Sequence, residues 1–146
     1  MTPVAYTAYN RVAAETASKD QMLIMLFDGA VKYVRNARKN MEEKRTAAKG
    51  ECISKAMAIL IEFECALDHD IGGELAGDLA RLYRYMLHRL LEANVMNDTG
   101  MLDEVEGLLM QLRDGFDQAA QMTRSAAPSR IAYSESGATG RISFAV

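Results

Sequence analysis

The sequence has no tryptophan and only two prolines among its 146 residues. It has no run of 18 apolar residues, so nothing in it is expected to insert directly into a membrane. It lacks a charged leader followed by an apolar stretch, so no secretory signal is expected. Charge of one sign is missing too: 17 basic residues stand against 20 acidic ones, for a net charge of −3. Without a basic stripe or an aromatic-basic platform, the sequence excludes nucleic acid as a partner. Its two cysteines, Cys52 and Cys65, are far apart and read as reduced thiols of a cytosolic protein.

Catalytic signatures are absent as well. There is no P-loop, no dinucleotide fingerprint and no G-x-S-x-G. His69 lies between Asp68 and Asp70 and reads as part of a solvated turn rather than a metal site. Neither His69 nor His88 has a glutamate three residues before it, as a di-iron bundle would need. No enzyme activity, cofactor or metal is expected.

What is present is helical periodicity, in a chain that is 49% hydrophobic. A first helix is predicted from about Lys19 to Met41, with Leu23, Phe27, Ala30, Val34, Ala37 and Met41 on one stripe. Ser18 and Gln21 have capping-box spacing at its start. A second helix, from about Ala47 to Asp68, turns Ile53, Ala56, Leu60, Phe63 and Leu67 inward, and the paired Gly72 and Gly73 end it. A third runs from about Glu74 to Asn94, with Leu75, Leu79, Leu82, Met86 and Ala93 on one stripe and Ala76, Ala80, Tyr83, Leu87 and Leu91 beside it. Asn97 to Gly100 caps a fourth helix, about Met101 to Met122, where Leu102, Val105, Leu109, Leu112, Phe116 and Ala119 recur.

Four such helices with short connections predict an all-α fold, an antiparallel up-down four-helix bundle. Residues 1–17, with Tyr6, Tyr9 and Val12 at helical spacing, form a short N-terminal helix or docked arm; the bundle takes 18–122. Residues 123–146 are rich in Ser, Ala, Gly and Arg and read as a flexible tail. The tail ends on an apolar stretch; it reads as a loose end, with the alternative that Ile142, Phe144 and Val146 dock back on the bundle and compete with a bound partner.

The bundle has more apolar surface than its core consumes. Met22, Ile24 and Met25 lie beside or behind the first stripe, and Met57, Ile59 and Ile61 widen the second. Ten methionines in one chain suit an adaptable binding surface. Gly29 sits inside the first helix, where it costs about 1 kcal/mol relative to alanine. Close approach of a neighbouring helix explains it, or a partner lying against it.

Several segments carry a resemblance to a known family. They are Tyr6 and Tyr9; Thr16-Ala17-Ser18 and Gln21 to Ala30; Leu67-Asp68 and Gly72 to Ala76; Leu82 to Met86 and Arg89 to Asn94; and Val105-Glu106, Leu108-Leu109 and Leu112 to Asp114. In order and spacing they resemble the FliS family of flagellar export chaperones over about residues 4–122. The resemblance implies a cytosolic chaperone that binds the disordered C-terminal segment of flagellin in apolar grooves. It prevents premature polymerisation and presents flagellin to the membrane export gate of the flagellar type III apparatus. It also implies that the N-terminal arm, Tyr6 to Val12, covers a groove including Leu23, Leu26 and Phe27. The expected contact residues are Tyr6, Tyr9, Met22, Leu23, Met25, Leu26, Phe27, Gly29, Met57, Ile61, Tyr83 and Leu87. A monomer binding its client one to one is expected. The alternative is a self-associating regulatory bundle that does not bind flagellin; a dimer formed without client would favour it.

Overall fold

The computed structural model describes residues 3–125, with backbone only at residues 3, 12, 13, 16 and 17. The predicted tail therefore lies, from residue 126 on, outside the described residues. Four helices follow one another: α1 (Pro3–Glu42), α2 (Thr46–Ala66), α3 (His69–Met96) and α4 (Thr99–Ser125). Each touches its sequence neighbour, and α4 closes on α1, so the helices form a square in chain order. Ion pairs fix the direction. Asp20, Asp28, Arg35 and Arg38 of α1 pair with Arg124, Arg113, Glu106 and Asp103 of α4, so one helix rises as the other falls. The fold is the antiparallel all-α bundle that the periodicity predicts.

The core is built from the predicted stripes. Leu23, Phe27, Ala30, Val34, Ala37 and Met41 of α1 are buried, as are Ile53, Ala56, Leu60, Phe63 and Leu67 of the second segment. One aromatic column crosses all four helices. Phe116 stacks on Phe27 at 5.6 Å, Phe27 meets Phe63 at 4.4 Å, and Phe63 meets Tyr83 at 5.8 Å between ring centroids. Such pairs add about 0.5–1.5 kcal/mol each beyond the area they bury.

The structure departs from the sequence reading in four places. Residues 3–17 are not a separate arm. They continue into α1, and Ser18 lies within a helix rather than at its start. Between Val4 and Asp28 there is neither proline nor glycine to interrupt the helix, and Pro3 stands at its first position, where a missing N–H costs nothing. On α3, Leu75 and Leu91 are half-exposed, while Leu90 is fully buried. On α4, Ala120 rather than Ala119 turns inward. Finally, α3 starts at His69, ahead of the glycines. Asp68 caps it by accepting from the Asp70 and Ile71 N–H groups at 3.1 and 3.0 Å, and Gly73 makes a kink at φ +53°. Only that second glycine uses the left-handed region.

Candidate functional site

The flanks of α1 differ. Toward α4 the four ion pairs named above run from Asp20 to Arg38. The pairs of Asp28, Arg35 and Arg38 are largely exposed and stabilise by at most about 1 kcal/mol each, so they fix register more than they supply energy. Toward α2 the flank is apolar. Met22, Leu26, Gly29 and Tyr33 recur at four, three and four residues, a single helical edge. Met25 lies beside them and is 65% exposed; Met22 is 47% exposed and Leu26 half-buried.

Gly29 settles against Ile59. A Cβ built on Gly29 would stand 3.8 Å from Ile59 Cδ1, an ordinary contact. Alanine therefore fits, and crowding between α1 and α2 does not require the glycine. The same holds for Gly77, Gly107 and Gly115, where a Cβ meets one flexible arginine or nothing within 4 Å.

A second face lies between α2 and α3. Met57, Ile61 and Glu64 share one edge of α2, at four and three residues. Arg84, Leu87 and Leu91 share the facing edge of α3, and Arg84 Nε donates to Glu64 at 2.5 Å. Ile61 and Leu91 are about half-exposed, Met57 and Leu87 partly buried against the core. The ion pair closes one end of this face and leaves an apolar strip between the helices.

The predicted contact residues thus divide into three groups. Met22, Met25, Leu26 and Gly29 come together on α1, and Met57, Ile61 and Leu87 come together between α2 and α3. Leu23, Phe27 and Tyr83 lie in the core at 2%, 0% and 0% exposure, so they support these faces from beneath and line neither. Tyr6 and Tyr9 are exposed on the N-terminal part of α1. The unbroken helix carries Tyr6 roughly 25 Å along its axis from Leu23, and Phe27 is buried by Phe63 and Phe116 instead.

Two buried polar groups carry no counterpart in the periodicity. Asp20 is almost completely buried at the α1–α4 seam, beside a cleft of about 310 Å³ lined also by Gln21, Ile24, Asp117, Ala120 and Arg124. Arg124 Nη1 reaches Asp20 Oδ2 at 3.4 Å, and Oδ1 has no hydrogen-bond partner among the described residues. Burial pushes its carboxyl above the usual aspartate range, with Arg124 pulling the other way. Lys49 is 4% exposed, and its ammonium donates to the Asn94 carbonyl and to Asn97 Oδ1. A lysine in the first turn of a helix reads as solvated. Nothing in the local pattern marks that it reaches the end of α3.

No helix among the described residues is long and apolar enough to cross a membrane. Among them there is also no group of three or more His, Cys, Asp or Glu side chains placed to hold a metal ion.

The family model described as Flagellar protein FliS matches residues 1–123. The flagellar secretion chaperone FliS of Bacillus subtilis (strain 168) is 39% identical over 119 residues, which cover 82% of this chain and 88% of that protein. The flagellar secretion chaperone FliSB of Pseudomonas aeruginosa is 41% identical over 117 residues, covering 77% and 93%. FliS of Salmonella typhimurium is 42% identical over 116 residues, covering 76% and 86%. Residues 124–146 lie beyond the family match.

Proposed function

Because this chain belongs to the FliS family of flagellar secretion chaperones, we propose that it binds the disordered C-terminal segment of flagellin along the exposed apolar faces of α1, α2 and α3. Bound in this way in the cytosol, flagellin is kept from premature polymerisation and handed to the flagellar type III export gate. The family is one of chaperones, not enzymes.

The observation that carries this reading is the apolar edge of α1. Met22 and Met25 are large, exposed and adjacent, and Gly29 on the same edge is needed by no neighbouring helix. An amphipathic client helix laid there finds a groove whose wall is low at the glycine and adaptable at the methionines. The strip with Met57, Ile61, Leu87 and Leu91 offers a second bed for the same extended client. Ordering a disordered segment costs several kcal/mol, so contact spread over two faces suits it better than one pocket.

The test is isothermal titration of the chain with a flagellin C-terminal segment of about 40 residues. One-to-one binding with a negative heat-capacity change, the mark of apolar burial, is the expected result. No binding, either by the full chain or by a chain ending at Ser125, overturns the reading.

A further inference from the structure

A third apolar groove lies between α3 and α4, away from the two faces assigned to the client. Tyr85 and Arg89 of α3 both contact Glu104 of α4, which sets the level of the antiparallel pair. Counting back along each helix from there puts Leu82 opposite Leu108 and Leu75 opposite Gly115. Leu75, Leu82 and Arg89 recur every seven residues, and so do Leu108, Gly115 and Met122, so each set holds one edge. Leu75 is 51% and Met122 71% exposed, with Leu82 and Leu108 half-buried between them. Gly115 is exposed, and a Cβ there would meet nothing within 4 Å, which leaves a notch facing Leu75.

The open end of this groove lies beside the end of α4 at Ser125, from which residues 126–146 continue. Those residues close on Arg141-Ile142-Ser143-Phe144-Ala145-Val146, whose apolar side chains alternate and so share one side of an extended segment. From Ser125 back to Gly115 is about 15 Å, and back to Leu108 about 26 Å, at 1.5 Å per residue. A coil of about 16 residues, the interval from Ser125 to Ile142, spans roughly 20–24 Å, which lies within that range. Extended, Ile142 to Val146 covers about 13 Å, and Leu75 to Leu82 covers about 10 Å. Glu74, exposed beside Leu75 and without an ionic partner among the described residues, offers Arg141 a counter-charge.

We infer that the α3–α4 groove is a docking site for the chain's own C-terminal segment, with Ile142, Phe144 and Val146 lying over Leu75, Leu82 and the notch at Gly115. The tether keeps the segment at an effective concentration on the order of millimolar, so modest contact suffices to hold it. The family match stops before this segment, and the inference needs nothing of the client reading.

The test is methyl NMR on the full chain, with and without two substitutions. Cross-peaks from the Phe144 ring to the methyls of Leu75 or Leu82 are expected, unchanged on tenfold dilution. Both Phe144→Ser and Gly115→Gln abolish them and move the Leu75 and Leu82 resonances while leaving Met22 and Met25 in place. Gly115→Gln fills the notch without touching the core, so the bundle stays folded. Absence of the cross-peaks overturns the inference. So does movement of Met22 and Met25 on Phe144→Ser, which places the tail on the α1 face. Loss of the cross-peaks on dilution also overturns it, because the occupant is then a second copy.

Discussion

The ammonium of Lys49 lies 2.6 Å from the side-chain oxygen of Asn97, joining the first turn of α2 to the residue that ends α3. Asn97 is left-handed at φ 51°, a conformation asparagine tolerates better than most residues. The same ammonium takes the Asn94 carbonyl at 2.9 Å, one of the carbonyls that a helix end leaves open.

Lys49→Met keeps the stem of the side chain and removes the donors. It is expected to lower stability by about 1–2 kcal/mol, seen as a lower urea midpoint with an unchanged slope, while titration with the flagellin segment is unaffected. Equal stability of the two proteins would show that water replaces the ammonium without cost.

Asp20 gives a pH dependence of unusual sign. Its folded-state pKa is raised by burial, so the native chain holds this proton more tightly than the unfolded chain does. Stability from this group is complete below the ordinary aspartate range and is lost as pH rises through the folded value. Asp20→Asn should therefore melt higher than the parent at pH 7 and converge with it in acid. A lower melting temperature at pH 7 would mean that the contact with Arg124 outweighs the burial.

Tyr83 is fully buried, and its hydroxyl has no partner among the described residues. Tyr83→Phe keeps the aromatic column and removes an unsatisfied polar group, so it should stabilise by about 1 kcal/mol. Burial also raises the phenol's pKa above the ordinary tyrosine value. Above about pH 10 the unfolded chain ionises this group first, and stability falls as pH rises. In Tyr83→Phe that part of the alkaline decline is absent, as a melting series from pH 8 to 11 would reveal.

Met25→Glu and Leu109→Glu separate surface from core. Met25 is mostly exposed and Leu109 fully buried. The first should leave helicity intact and weaken flagellin binding at least tenfold, about 1.4 kcal/mol. The second buries an unpaired charge at a cost of several kcal/mol and should unfold the bundle by circular dichroism. Loss of helicity in Met25→Glu would reassign that edge to the core.

Gly29→Ala should raise stability by up to about 1 kcal/mol through helix propensity, since its Cβ meets Ile59 at ordinary distance. If the client lies against the glycine, the same change weakens binding. A variant that is more stable and binds equally well would free Gly29 of that role.

Helix phase was the legible part. The stripe from Leu23 to Met41 is buried as written because burial on one side imposes a period the sequence displays. The ends were less legible. Ser18 and Gln21 have the spacing of a helix start, yet a cap works only where the backbone leaves the helical region, and nothing before Ser18 makes it do so. The same limit applies to Lys49 and Asp20, whose burial depends on residues 48 and 104 positions away in sequence. For the candidate site, methionines beside a core stripe pointed to an α1 edge on which Met22 and Met25 are exposed. The periodicity had already put Phe27 on the core stripe and Tyr83 on an inward stripe of the third helix, where both are buried; it was the resemblance that named them as contact residues.

An unbroken α1 has no hinge between Tyr6 and Phe27. Whatever grips the projecting turns therefore pulls on a stiff rod whose other end is anchored in the bundle's centre. Such a pull would meet the contact between Asp20 and Arg124 before it reached the rings stacked behind it. The projecting turns and the bundle's centre therefore belong to one stiff element.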